Sequence, residues 1–174
     1  MWMARWARRP WGGKKTGKNP TDRGKLGVKR SLAIEGHGVP VGLVLAGANR
    51  HDCKLLEATL ATFAALRPAP TSEHPQQVCL DKGYDYDFIR ALLGEQAFEY
   101  HIRSRGEENE AQQKDPTRPP RRWKAERTIS WFNRCRGILL RWAKKDENYL
   151  AFCHFVAGTI ALRMAYALAD CQFG

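Results

Sequence analysis

Gln77-Gln-Val-Cys-Leu-Asp-Lys-Gly-Tyr84 is the stretch on which the fold turns. Val78 to Leu80 form a short apolar run, and Asp81-Lys-Gly then breaks it, so the pattern predicts a strand over Gln77 to Leu80 that delivers Asp81 into a tight turn. A helix from about Asp87 to Glu95 follows, with Gly94 near its end, and Phe98 to Ile102 read as a further strand. Asp81 therefore sits at the carboxyl end of a strand, the edge at which α/β folds bind ligands.

Upstream, Val28 to Ile34 and Val41 to Ala46 are apolar runs separated by Glu35-Gly-His-Gly-Val-Pro40, which predicts a β-hairpin with a long loop. Asp52 is placed to cap a helix from about Cys53 to Leu66, where Leu55, Leu56, Thr59, Leu60 and Phe63 recur at helical spacing before Pro68 and Pro70. Residues 1–27 are rich in Gly, Lys and Arg and read as an irregular basic arm. Residues 104–120, polar and carrying Pro116, Pro119 and Pro120, read as a disordered insertion within one domain spanning 28–170. Beyond it, a helix from Arg121 to Lys144 is expected to bury Trp131, Cys135, Ile138 and Trp142 and to turn Glu126, Ser130, Asn133 and Gly137 outward. Arg127, Arg134 and Arg141 recur every seven residues and line one flank of that polar face. A last helix from Asp146 to about Ala169 offers Tyr149, Phe152, Val156, Ile160 and Met164 for burial.

The chain has 174 residues, 43% of them hydrophobic, enough for a single domain with its own core. Lys and Arg number 29 against 18 Asp and Glu, a net charge of +11 that favours polyanions as partners. Ten of the basic residues fall in 1–30 and thirteen in 103–145. The five cysteines are odd in number and scattered, without a Cys-x-x-Cys pair, which argues against a disulfide framework or zinc site and fits a reducing cytoplasm. The uncharged run Asn148 to Leu162 is too short to cross a bilayer and reads as a buried helix, so no membrane partner is expected.

Two carboxylates stand out in this cationic setting. Asp81 could ligate a metal ion or merely open the Lys82-Gly83 turn. Glu126 could do the same or form an i,i+4 pair with Arg122. Phosphodiester chemistry on two hard cations requires acidic oxygens held close together, and neighbouring arginines would both neutralise them and bind phosphate. Lys82 could add a phosphate contact. Arg50-His51-Asp52 could lie near such a site, Asp52 being otherwise a helix cap. Trp123 and Trp131 could stack on bases, although Trp131 falls on the apolar stripe.

The motifs Thr16-Gly-Lys-Asn-Pro-Thr-Asp-Arg-Gly-Lys-Leu-Gly-Val-Lys-Arg30, Ala48-Asn-Arg-His-Asp52, Cys79-Leu-Asp-Lys-Gly-Tyr84, His101-Ile-Arg-Ser-Arg105, Arg122-Trp-Lys-Ala-Glu-Arg127 and Trp131-Phe-Asn-Arg134 resemble, in order and over about residues 12–162, bacterial insertion-sequence transposases of the DDE class, insertion sequence five group. The resemblance implies a ribonuclease-H-like α/β fold with a mixed sheet and flanking helices. It also implies Mg²⁺ (or Mn²⁺) as cofactor and DNA, at element ends and target, as partner, with cleavage and strand transfer as the reaction. Asp81 matches the second catalytic Asp, Glu126 the catalytic Glu and Arg122 the arginine before it, which makes Asp81 and Glu126 the implied metal ligands. Lys82, Arg122, Arg127, Arg134 and Arg141 are the expected DNA contacts.

Two positions depart from the pattern. The basic residue expected seven places after the Glu is Asn133, with Arg134 adjacent. The first catalytic Asp should precede Gly12-Gly13, yet Met1 to Pro10 contains no acid, so the N-terminal strand is expected to be missing or degraded. On that reading the chain is a truncated or frameshifted copy, inactive alone, or else a non-catalytic DNA-binding remnant that partners an intact transposase in a hetero-oligomer; a homo-oligomer is equally open.

Overall fold

In a computed structural model of the chain, the described residues are 2–9, 12–63, 68, 70–71, 73–103 and 122–173. The expected insertion at 104–120 lies outside them. The central strand is β3 (Leu26–Ile34). It pairs antiparallel with β1 (Trp2–Arg8) on one edge, and on the other with β4 (Pro40–Gly47) and the two-residue β2 (Gly17–Lys18). The β3–β4 pair is the hairpin read from the sequence, with a bulge between Ala33 and Ile34.

A second, parallel pair follows. β5 (Gln76–Asp81) leads through a 3-10 turn (Lys82–Tyr84) and helix α2 (Asp87–Glu95) to β6 (Phe98–Arg103), and β5 packs against β1. The order thus runs β4, β3, β1, then β5 and β6. Parallel strands need a crossover between them, and the predicted helix at Asp87–Glu95 supplies it.

Helices cover both faces. On one face α3 (Arg122–Asn133), α4 (Arg136–Leu139) and α5 (Asp146–Phe173) pack Ala125, Ile129, Phe132, Ile138, Tyr149, Val156 and Ile160 onto Val28, Leu32, Leu43 and Leu45. On the other, a 3-10 turn (Asp52–Leu55), α1 (Leu56–Ala61) and α2 pack Leu56, Leu60, Ile89 and Leu93 onto Ala33, Val78 and Leu80. Burial from both sides explains why β3 is buried along almost its whole length. Each of its three polar residues makes a side-chain hydrogen bond: Lys29 Nζ donates to the Asp52 carboxylate (2.5 Å) and the Arg50 carbonyl (2.7 Å), Arg30 Nη2 to Asn133 Oδ1 (3.2 Å), and Ser31 Oγ accepts from Thr59 Oγ1 (2.9 Å).

Four expectations are corrected. The N-terminal segment is not an irregular arm lacking a strand: Trp2 to Arg8 pair with Ala33 to Gly27 residue for residue. Backbone pairing to an existing strand edge outweighs the poor alternation of the sequence. Asp52 is not a side-chain helix cap, because its carboxylate is taken by Lys29; His51 occupies the cap position without a side-chain bond. The long helix from Arg121 to Lys144 breaks at Arg134-Cys135, where Cys135 turns extended, and α4 is then held by Tyr149 Oη donating to the Ile138 carbonyl (2.7 Å).

The fourth correction concerns α5. Tyr149, Val156 and Ile160 are buried as expected, but Phe152, expected to be buried, is exposed, as are Phe155, Leu162 and Tyr166. Among the described residues this is one helix long and apolar enough to cross a membrane by length and composition alone, with 17% of it buried.

Candidate active site

Asp81 is the last residue of β5 and is exposed. Its carboxylate accepts from the Lys82 backbone N–H (2.8 Å), so it opens the following 3-10 turn, as the simpler reading of the sequence held. That turn buries Tyr84, whose ring anchors the loop in the core while its hydroxyl finds no partner. Burial, and then the negative charge of Asp52, Cys53 and Asp81 nearby, push the Tyr84 phenol well above its usual range. The loop bearing His51 and Asp52 thus lies beside the loop bearing Asp81, and His51 meets Tyr86 edge-on at 6.0 Å between ring centroids.

Glu126 is exposed on α3, one turn in from its start. The helix is fastened by its other residues to the loop between β3 and β4. Lys124 Nζ donates to the Gly36 carbonyl, Arg127 Nη2 to that of His37 and Thr128 Oγ1 to that of Gly38, each at 2.6 Å. The Arg127 guanidinium also lies over the rings of Trp123 (4.5 Å) and Trp131 (4.8 Å). Arg127 is therefore a structural clamp for α3 as much as a surface cation.

Both carboxylate-bearing elements, β5 and α3, pack against β1. Arg134 is exposed at the end of α3, and Lys82 is exposed beside Asp81. Arg141 is not on this face: the break after Asn133 carries it inward, where it is fully buried. The side chain of Arg122 lies outside the described residues.

The sequence reading missed that two of the basic residues, Arg141 and Arg9, are buried and hold loops in place. Arg141 donates to the carbonyls of Ala143 (3.2 Å) and Lys14 (3.2 Å), and its own N–H donates to the Arg8 carbonyl (2.9 Å). Buried Arg9 donates to the Lys144 carbonyl (2.9 Å). Desolvation, and then the like charge of Arg9, lower the Arg141 pKa. Nothing in the heptad spacing could have revealed this, because that spacing assumes an unbroken helix.

A family model described as the transposase DDE domain matches residues 4–157, nearly the whole length. The chain belongs to that family. A protein of Burkholderia cepacia, assigned as the transposase for insertion sequence element IS402, is 32% identical over 148 residues, which cover 83% of this chain and 67% of the relative. No solved structure matches the chain. The match spans β1, β5 and α3 together, so this DDE transposase chain contains the elements that the sequence reading assigned to the acidic site.

The family uses divalent metal ions. Here the donor set does not fit a resident pair: among the described residues no group of three or more His, Cys, Asp or Glu could hold a metal ion. Asp81 and Glu126 are two carboxylates on separate elements, and β1 offers no acid from Trp2 to Arg8. Two hard cations require more acidic oxygens than these.

Proposed function

We propose that this DDE transposase chain binds insertion-sequence ends and target DNA, with Asp81 and Glu126 as two acids of a ribonuclease-H-like reaction centre whose β1 position is unfilled. The single observation that carries this reading is the packing of β5 and α3 against an acid-free β1. Antiparallel β4, β3 and β1, followed by a parallel pair and covered by helices on both faces, support the ribonuclease-H-like reading. Arg134 and Lys82 are the exposed cations assigned to phosphate, and Arg122 remains an assignment from the motif.

The same observation favours a second reading. A chain with DNA-binding cations and an incomplete acid set can occupy element ends without cutting them, or join an intact transposase in a hetero-oligomer. The two readings separate in one assay. With Mg²⁺ or Mn²⁺ and DNA bearing element ends, the chain should neither nick nor join strands, whereas an aspartate introduced in turn at positions 3, 4 and 5 of β1 should restore cleavage at one of them. That activity should vanish again on Asp81→Ala or Glu126→Ala. Restored cleavage that survives both substitutions would remove Asp81 and Glu126 from the reaction centre, and no restoration at any position would leave the non-catalytic reading.

A further inference from the structure

We propose that the groove between α1 and α2 is a docking site for the Trp142 loop of a second copy of this chain. The groove, about 440 Å³, is lined by buried Cys53, partly buried Leu92, exposed Ala91 and Phe88, the side chains of Glu57 and Glu95, and Lys54. Charge is distributed unevenly around it. Residues 52–99 carry eight acids and four bases, a net −4 inside a chain of +11, so everything outside this lobe is strongly positive. At the groove itself two glutamates face one lysine, so a basic protein segment is attracted to it.

The chain itself presents such a segment. Trp142, expected from an unbroken helix to be buried, is 60% exposed because the helix breaks before it, and Lys144 and Lys145 beside it are exposed as well. The loop is held rigidly, because the Arg141 N–H donates to the Arg8 carbonyl, the Arg141 guanidinium to the Ala143 carbonyl and the Arg9 guanidinium to the Lys144 carbonyl. A large aromatic displayed on a fixed backbone and flanked by cations loses little entropy on docking, and tryptophan is the commonest anchor of protein interfaces. Trp142 suits the apolar part of the lining, and the two lysines match its two glutamates in charge.

One chain cannot fill its own groove. Ala143 packs with the core under α3, α4 and α5, whereas the groove is built from α1 and α2 on the other face of the sheet. The contact is therefore between copies, and it is independent of the site built around Asp81 and Glu126.

Sedimentation of the 174-residue chain, freed of nucleic acid, tests it. Association at low salt should weaken at high salt. It should be lost in K144E/K145E and in E57K/E95K, and Trp142→Ala should weaken it by about 30-fold, the loss expected for a hot-spot anchor. The deciding arm is the mixture: the two charge-reversed variants, each monomeric alone, should associate when combined. A mixture that stays monomeric, single variants that associate like the parent, or a parent that is monomeric at low salt would each overturn the proposal. So would a Trp142→Ala chain that loses DNA affinity while keeping self-association, since the loop would then be a nucleic-acid contact.

Discussion

Tyr149 and Arg141 show how single side chains hold the helical layer of this transposase chain together. Tyr149 is buried and its hydroxyl donates to the Ile138 carbonyl. Tyr149→Phe removes the donor and strands that carbonyl, so it should cost about 1–3 kcal/mol in urea unfolding. Arg141 is fully buried and ties two loops by their carbonyls. Arg141→Ala should therefore cost stability on the order of 2–4 kcal/mol, whereas exposed Arg134→Ala should leave stability within about 0.5 kcal/mol and weaken DNA binding instead. Paired unfolding curves and DNA titrations separate the two arginines, and equal effects on stability would contradict the placement of Arg141. Burial, followed by a weaker opposing influence of Arg30, raises the Cys153 thiol to about 11. It should stay unlabelled by maleimide at pH 8 until the chain unfolds, since little thiolate forms and access is closed.

At the scale of elements, the β3–β4 loop is the seat of α3, and Glu35 shapes that seat. Its carboxylate accepts from the N–H groups of His37 (2.8 Å) and Val39 (3.0 Å), while the loop's carbonyls receive Lys124, Arg127 and Thr128. Burial works to raise the Glu35 pKa, but the backbone donors and His37 prevail and lower it. A depressed carboxylate contributes stability above its unfolded value, here 4.5, and loses it as pH falls through the folded value. The difference in urea midpoint between the parent and Glu35→Gln should therefore be constant near pH 7 and shrink below about pH 4.5. A gap that widens on acidification would reverse the sign of this linkage. Thr128→Val should cost about 1–3 kcal/mol by leaving the Gly38 carbonyl unmatched. Local signals made the hairpin, the strand into Asp81 and the helix at Asp87–Glu95 legible, since each announces itself by periodicity and a turn residue. The break at Cys135 was not, because it is imposed by tertiary contact. Gly137 lies so close to α5 that a Cβ there would come within 2.8 Å of Phe152 Cε1.

For the whole molecule, charge sets the terms of DNA binding. Contacts to phosphate release counterions, so the logarithm of affinity should fall linearly with the logarithm of salt, and Arg134→Ala should reduce the slope by about one. A slope unchanged by Arg134→Ala would remove that residue from the interface. Motif order made the family legible. Strand β1 was illegible for the opposite reason: its sequence lacks an alternating pattern, and its conformation comes from the edge of β3, whose paired residues lie 31 positions away at Trp2 and 19 at Arg8.

The clamp from Arg9 to the Lys144 carbonyl joins residues 135 positions apart. A ribosome extending the chain at about 5–20 residues per second takes roughly 7–27 s to deliver residue 144 after residue 9. For that interval β1 and β3 can already pair, while the Arg9 guanidinium and the Arg8 carbonyl have no distant half to engage. The clamp is thus a timer on synthesis: the rigid Trp142 loop, and any contact that depends on it, comes into being only once translation has passed α4.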